Sequence, residues 1–134
     1  EIPLWSLATI GGVRLQEFAP LKNKEYVQAE MDALFARVRD AAYEIIRRKG
    51  ATYYAIGLGL LSIVAAILGD YRRVMSVSTL MTGQYGVRDM CLSLPCVVGA
   101  NGVEEILTLN LDPAEESGFQ ASARKLQSTL ALLG

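Results

Sequence analysis

The chain has 134 residues, of which 51% are hydrophobic and 20% charged, a size and composition that suit one globular domain with a substantial core. Thirteen basic residues against fourteen acidic ones give a net charge of −1, and no long tract of Lys and Arg is present to bind phosphates, so nucleic acid is not an expected partner. The sequence contains no histidine. Because histidine is the commonest general acid/base and the commonest transition-metal ligand, we expect no metal site.

The two cysteines, Cys91 and Cys96, lie five residues apart in a stretch with the pattern of a strand. An odd spacing places them on opposite faces, where they are poorly placed to pair. We therefore expect two free thiols, as in the reducing cytosol. The sequence starts Glu-Ile-Pro-Leu-Trp, with neither an initiator Met nor the pattern of a signal peptide, so it is expected to be a piece of a longer chain.

The first half of the chain predicts a short hairpin and a long helix. Short apolar pieces around Gly11-Gly12 predict two short strands or a hairpin within residues 2–18. Over residues 23–48, apolar positions step by 4, 3, 4, 3 and 4, which predicts a long amphipathic helix with acidic residues near its start, basic residues at its end and Gly50 as its stop. So regular a stripe also suits contact with a second helix or a second subunit. The stripe consists of Val27, Met31, Leu34, Val38, Ala41 and Ile45.

Residues 51–69 form an uncharged run that is just long enough to cross a bilayer. We favour a buried helix over residues 51–68, because the amphipathic helix before it and the strands after it each need a partner, and because basic residues at both ends give no inside/outside bias. No membrane contact is therefore expected. Gly57 and Gly59 lower helix propensity, which predicts close packing of another backbone, or a ligand, against them. Thr52 and Ile56 are four residues apart and are expected to share a helical face, although a hydroxyl at a helix start is most often only a cap.

The second half of the chain predicts antiparallel strands and a final helix. Strands are expected at residues 74–80 and 90–98, with a hairpin turn at Asn101-Gly102 and a return strand through Leu107, Leu109 and Leu111. The run Asp112-Pro113-Ala114-Glu115 is typical of a capped helix start. The buried stripe of that helix is expected to be Phe119, Ala123, Leu126, Leu130 and Leu133. The order of elements predicts an α+β fold with antiparallel strands packed with long helices, and no parallel nucleotide-binding unit.

Four stretches carry a family resemblance: IPLWSLATIGGV at 2–13, KGATYYAIG at 49–57, VSTLMTGQYG at 77–86 and DMCLSLPCVVGANGVEEILTLNL at 89–111. In order and spacing, over essentially all 134 residues, the chain resembles the C-terminal, substrate-binding half of bacterial NAD-dependent L-lactate dehydrogenases of the lactate/malate dehydrogenase family. The resemblance implies one substrate-binding and oligomerisation domain over residues 1–134. It also implies that the Rossmann domain lies upstream, and that the catalytic histidine lies in a Gly-Glu-His-Gly-Asp motif ending just before Glu1.

The resemblance also implies roles for individual residues. Thr52 would line the substrate pocket, and Ile56 would pack against the nicotinamide ring of NAD. A small hydroxyl suits a bond to a substrate group, and an apolar wall suits exclusion of water beside the nicotinamide. Ala41 and Ala42 would bound the pocket, although alanine is also common wherever helices cross closely. Tyr43 corresponds to a tyrosine that is phosphorylated in some relatives.

The implied reaction is pyruvate plus NADH giving L-lactate and NAD⁺ in a cytoplasmic homotetramer of glycolysis and pyruvate fermentation. A malate or other 2-hydroxyacid dehydrogenase remains an alternative, because the mobile loop that decides specificity in the family lies upstream. A second alternative is a non-enzymatic interaction domain that binds a partner through the apolar stripe. In either enzyme, the chain alone is expected to be inactive.

Overall fold

Two antiparallel sheets and four α-helices make up residues 2–132, the part of the chain that the computed structural model describes. Contacts divide these residues into two compact units, residues 3–58 and residue 2 with residues 59–132. The predicted place of Leu133 on a buried stripe falls outside the described residues. The expectation of one domain stays a prediction.

In the first unit, the predicted hairpin is confirmed but is short. Strands β1 (Thr9–Ile10) and β2 (Val13–Arg14) pair antiparallel, and the Gly11-Gly12 turn has positive φ at both residues, as two-residue hairpins of this kind require. A 3₁₀ turn at Trp5–Leu7 precedes the hairpin, and helix α1 (Leu15–Leu21) follows it. Sequence analysis missed α1, whose seven residues include a proline that weakens the helical signal.

The long amphipathic helix is confirmed as α2 (Gln28–Lys49). Gly50 ends it in the left-handed conformation, with φ +80°, and its N–H donates to the carbonyl of Ile46 at 2.7 Å. The expected partner for its apolar stripe is not found among the described residues: no residue of α2 is buried, and Val38 is 65% exposed. The periodicity therefore predicted the helix correctly, but not its packing.

The uncharged run forms helix α3 (Tyr54–Leu68), which begins three residues later than predicted. The prediction that it is buried is wrong for most of its length, because only its C-terminal turns meet the sheet of the second unit and only Ala66 is buried. The close approach of another backbone predicted at Gly57 and Gly59 is not found among residues 2–132, since no atom outside the local helix backbone lies within 4 Å of where either Cβ would be, while the alternative of a ligand there stays a prediction. Among residues 2–132, no helix is both long enough and apolar enough to span a membrane.

The second unit contains a three-stranded antiparallel sheet in the order β3-β4-β5: β3 (Arg73–Thr82), β4 (Arg88–Gly99) and β5 (Gly102–Ile106). The predicted strands at residues 74–80 and 90–98 are confirmed, and a return strand follows the turn, but it occupies Gly102–Ile106. The turn between β4 and β5 comes one residue earlier than predicted, at Ala100-Asn101.

The predicted return strand is wrong beyond Ile106, because β5 ends there and the segment that carries Leu107, Leu109 and Leu111 is irregular. One more hydrogen bond to β4 comes directly after the end of β5: the N–H of Leu107 donates to the carbonyl of Pro95 at 2.9 Å. Leu107, Leu109 and Leu111 alternate in the sequence as strand residues do, and this alternation predicted a strand. None of the strands in residues 2–132 pairs with this segment.

Alternate residues of β4 form the core of this unit. Met90, Leu92, Leu94, Cys96 and Val98 are all buried on one face. Phe119 and Ala123 of helix α4 (Pro113–Leu130) cover the first part of that face, and Ala66 of α3 covers the end with Cys96 and Val98. The sheet is therefore covered on the face expected of an α+β fold.

The two cysteines lie on opposite faces of β4, as predicted. Cys91 is exposed, Cys96 is fully buried, and both are free. Burial raises the pKa of the Cys96 thiol, so this side chain stays protonated and behaves as a small core residue.

The start of α4 confirms the predicted cap in detail. The Asp112 carboxylate accepts from the N–H groups of Ala114 and Glu115, at 2.9 and 2.8 Å, and the Glu115 carboxylate accepts from the N–H of Asp112. The predicted buried stripe is wrong at Leu126 and Leu130, which are exposed. Within residues 2–132, the apolar cluster beneath α4 reaches only as far as Ala123 and does not extend under the later turns.

Candidate functional site

Thr52 lies in a four-residue connector, residues 50–53, between α2 and α3. The left-handed Gly50 ends α2, and the carbonyl of Tyr53 accepts the N–H of Gly57 at 2.8 Å, which places the helix start after Thr52. Thr52 is half-buried. Because it precedes the helix, the i, i+4 spacing no longer places it on one helical face with Ile56, and that expectation is wrong.

The first turn of α3 presents an aromatic and apolar surface. Ile56 is 58% exposed, and the rings of Tyr53 and Tyr54 pack at a tilt with their centroids 4.8 Å apart. Exposed apolar groups of this size mark a surface that another group can cover. This end of α3 therefore has the apolar character that a nicotinamide wall requires, with the Thr52 hydroxyl two residues before the helix.

Ala41, Ala42 and Tyr43 follow one another on α2, and all three are exposed. Successive residues of an α-helix point about 100° apart, since one turn takes 3.6 residues. Ala41 and Ala42 therefore lie on different sides of α2, and Ala41 shares its side with Ile45. Tyr43 is 73% exposed, so its hydroxyl is open to solvent.

A shallow groove of about 530 Å³ runs beside Ala41. All of its lining comes from α2, which makes it a helix surface rather than a closed pocket. It brings Ala41 together with Ile45, and does not include Ala42, Thr52 or Ile56. The lining residues are Ala36, Arg37, Asp40, Ala41, Glu44 and Ile45.

The two carboxylates along this groove are paired on their own helix. Asp40 accepts from Nε of Arg39 at 2.9 Å, and this hydrogen bond lowers the pKa of Asp40. Glu44 accepts from both Arg47 and Arg48. A lowered pKa makes Asp40 a poor proton donor at neutral pH, so at Asp40 this surface suits binding rather than acid–base chemistry. Sequence analysis missed these residues, although their spacing of four along α2 would have grouped them.

Comparison with known proteins places the chain in a family. Residues 1–133 match the lactate/malate dehydrogenase, alpha/beta C-terminal domain family. The L-lactate dehydrogenase of Shouchella clausii (strain KSM-K16) is 45% identical over 128 residues, covering 96% of this chain and 39% of that protein. The L-lactate dehydrogenase of Priestia megaterium is 46% identical over 129 residues, covering 96% of this chain and 40% of that protein.

A solved structure agrees with the sequence relatives. The ligand-bound crystal structure of the minor L-lactate dehydrogenase from Enterococcus mundtii superposes with a TM-score of 0.92 at 37% identity, over 99% of this chain and 42% of that one. The chain therefore spans about two fifths of the length of these relatives. On the match of nearly its whole length, the chain belongs to the lactate/malate dehydrogenase C-terminal domain family, the α+β domain that sequence analysis expected.

Proposed function

We propose that the chain is the substrate-binding and oligomerisation domain of an NAD-dependent L-lactate dehydrogenase, which interconverts pyruvate and L-lactate together with an upstream Rossmann half. The observation that carries this proposal is the identity of about 45% to proteins named L-lactate dehydrogenase over nearly the whole chain. In this proposal the protein is a cytoplasmic homotetramer of pyruvate fermentation, and residues 1–134 form one domain.

In this proposal, residues of the first unit have separate roles in binding. The Thr52 hydroxyl bonds a polar group of the substrate, and Ile56 forms an apolar wall that excludes water beside the nicotinamide. Ala41 and Ala42 leave room at the pocket boundary, and exposed Tyr43 is open to phosphorylation. The nicotinamide cofactor, when bound, would supply the hydride for the ketone carbon. In this proposal the proton comes from the histidine that the family resemblance places in the upstream half; this chain contains no histidine.

The test is Thr52→Ala in the protein that carries this chain behind its upstream half. Loss of one hydrogen bond to the substrate, worth about 1 kcal/mol, lowers kcat/KM for pyruvate roughly five- to tenfold, while the midpoint of urea unfolding stays the same. Thr108→Ala, a change at an exposed threonine after β5, is the matched control and leaves the kinetics unchanged. Unaltered pyruvate kinetics in Thr52→Ala would remove Thr52 from the site.

Assays on the same protein preparation distinguish two other candidate functions. Faster NADH oxidation with oxaloacetate than with pyruvate identifies a malate dehydrogenase. The exposed apolar stripe of α2 favours a non-enzymatic interaction domain as the second candidate. Failure of the chain to yield any NADH oxidation with 2-oxoacids when it is joined to its upstream half would support that second candidate.

A further inference from the structure

A small polar cavity lies in the second unit, where the turn that joins β3 and β4 meets helix α4. Its volume is about 260 Å³. Tyr85 and Gly86 of the turn line part of it, and α4 contributes the polar side chains of Gln120, Arg124 and Gln127. Spacings of four and three residues place these three side chains on one side of the helix. Every lining residue belongs to this unit, so the cavity does not depend on the other one.

Arg124 is the one charged residue in the described lining of the cavity. Its guanidinium has no hydrogen-bond or ion-pair partner within residues 2–132. A guanidinium presents a planar fork of N–H donors that matches the two oxygens of a carboxylate. A cavity whose single charge is an unpaired guanidinium therefore favours a singly charged anion of that shape.

The two glutamine amides add neutral polar groups beside Arg124. Gln120 donates from Nε2 to the carbonyl of Tyr85 at 3.4 Å, a hydrogen bond longer than the usual range of about 2.7–3.2 Å. The side-chain amide of Gln127 has no partner within residues 2–132. Because an amide offers donors as well as an acceptor, it can bond to both hydroxyl and carbonyl groups. These amides suit a ligand that carries such groups next to its carboxylate.

The turn that lines part of the cavity is held in an unusual conformation. Tyr85 has a φ of +51°, in the left-handed region that bulky residues rarely adopt. Its hydroxyl bonds to the backbone of Leu109 at 2.8 Å, and its ring packs against Phe119 with centroids 5.1 Å apart. These contacts hold the turn in place without a ligand, which reduces the ordering that binding requires.

We propose that this cavity binds a small monocarboxylate that bears hydroxyl or carbonyl groups. Arg124 holds the carboxylate, and Gln120 and Gln127 bond to the neighbouring oxygen groups. A volume of about 260 Å³ corresponds to roughly nine water molecules of the liquid, so an organic acid of similar size fits, while inorganic phosphate leaves much of the space empty. The inference does not rest on the proposed function, since neither Thr52 nor Ile56 lines this cavity.

Titration of the 134-residue chain with glycerate tests this site, because glycerate combines a single carboxylate with hydroxyl groups on the adjacent carbons. Propanoate, which has the same carbon skeleton without the hydroxyls, and inorganic phosphate are titrated in parallel. Calorimetry measures each affinity, and nuclear magnetic resonance follows the side-chain amides of Gln120 and Gln127. We expect glycerate to bind more tightly than either of the other two anions and to shift both amide signals.

Three variants separate the cavity from the general charge of the helix. Arg124→Gln removes a charge-assisted hydrogen bond, which should weaken glycerate binding about tenfold to a hundredfold. Gln127→Glu keeps the shape of the side chain but introduces a carboxylate, which repels the ligand and pairs with Arg124, so binding should be lost. Lys125→Gln makes the same charge change at the next residue, which does not line the cavity, and is the matched control. Arg124, Lys125 and Gln127 are exposed, so none of these substitutions removes core packing.

Saturable glycerate binding supports the proposal if it is weakened in Arg124→Gln, lost in Gln127→Glu and unchanged in Lys125→Gln. Absence of saturation by about 50 mM glycerate, or equal affinities of Arg124→Gln and Lys125→Gln, overturns it. Propanoate or phosphate binding as tightly as glycerate overturns the assignment of a hydroxy- or oxocarboxylate. Glycerate binding that leaves the amide signals of both Gln120 and Gln127 unmoved places the ligand elsewhere and overturns the proposal as well.

Discussion

Tyr85 ties the irregular segment after β5 to the turn that joins β3 and β4. Its hydroxyl donates to the carbonyl of Leu109 and accepts from the N–H of the same residue, both at 2.8 Å. Its ring packs edge-on against Phe119, with centroids 5.1 Å apart. One side chain thus supplies the two backbone bonds that a paired strand would have supplied, which is how Leu109 remains satisfied outside the sheet.

We expect Tyr85→Phe to destabilise the chain by about 1–2 kcal/mol, because the ring contact remains while the N–H of Leu109 loses its partner and the carbonyl of Leu109 keeps only the N–H of Leu111, at 3.1 Å. Chemical denaturation followed by circular dichroism measures the change. Tyr71→Phe, at a tyrosine that is exposed, serves as the control and leaves the midpoint unchanged. Equal midpoints for the two variants would show that water replaces the hydroxyl at no cost.

At the residue scale, contacts between residues close in sequence could be predicted, and contacts between residues far apart in sequence could not. The cap of α4 could be predicted because its donors and acceptors lie within four residues of one another. The Tyr85–Leu109 pair joins residues 24 apart, and the contact of Ile2 with Gly118 spans most of the chain. No local rule connects such residues, so only the fold reveals them.

At the scale of elements, α3 differs most from what its sequence predicts. An uncharged run of this length predicts a buried helix, yet its apolar side chains are largely exposed and the Cβ positions of Gly57 and Gly59 face open space. Hydrophobic content indicates that a helix needs a partner without indicating which chain provides it. The strands were easier to predict, because alternation along β4 directly reports its buried face.

We expect Gly57→Ala to stabilise the isolated chain by roughly 0.5–1 kcal/mol, because alanine favours the helix and its Cβ meets no atom. The paired change Gly50→Ala has the opposite sign, since φ at Gly50 is +80° and a Cβ there costs about 1–2 kcal/mol. Thermal unfolding of both variants measures the difference. A destabilised Gly57→Ala would mean that α3 is already covered, for example by a second copy of the chain.

At the scale of the whole molecule, the exposed apolar surface and the length of the relatives both indicate that another domain or chain packs on this one. Large apolar side chains are exposed along α2 and α3, and the chain spans about two fifths of the length of its relatives. Extensive exposed apolar surface marks a place where another chain or domain packs. The candidate residues Thr52, Ile56, Ala41 and Ala42 could be named through the family resemblance, but not as one closed pocket, because Ala41, Ala42 and Ile56 are exposed in this structure.

We therefore expect the 134-residue chain alone to oxidise no NADH with pyruvate at any pH, because it has no histidine to supply the proton and no Rossmann half to hold the cofactor. Adding the upstream half as a separate polypeptide should restore turnover and lower the binding of a hydrophobic dye, as the apolar faces of α2 and α3 become covered. Absorbance at 340 nm and dye fluorescence follow the two effects in one titration. The upstream half carrying an Ala in place of its histidine is the control, and it should lower dye binding without restoring turnover. Measurable turnover by the pure chain would contradict the division of labour proposed between the two halves.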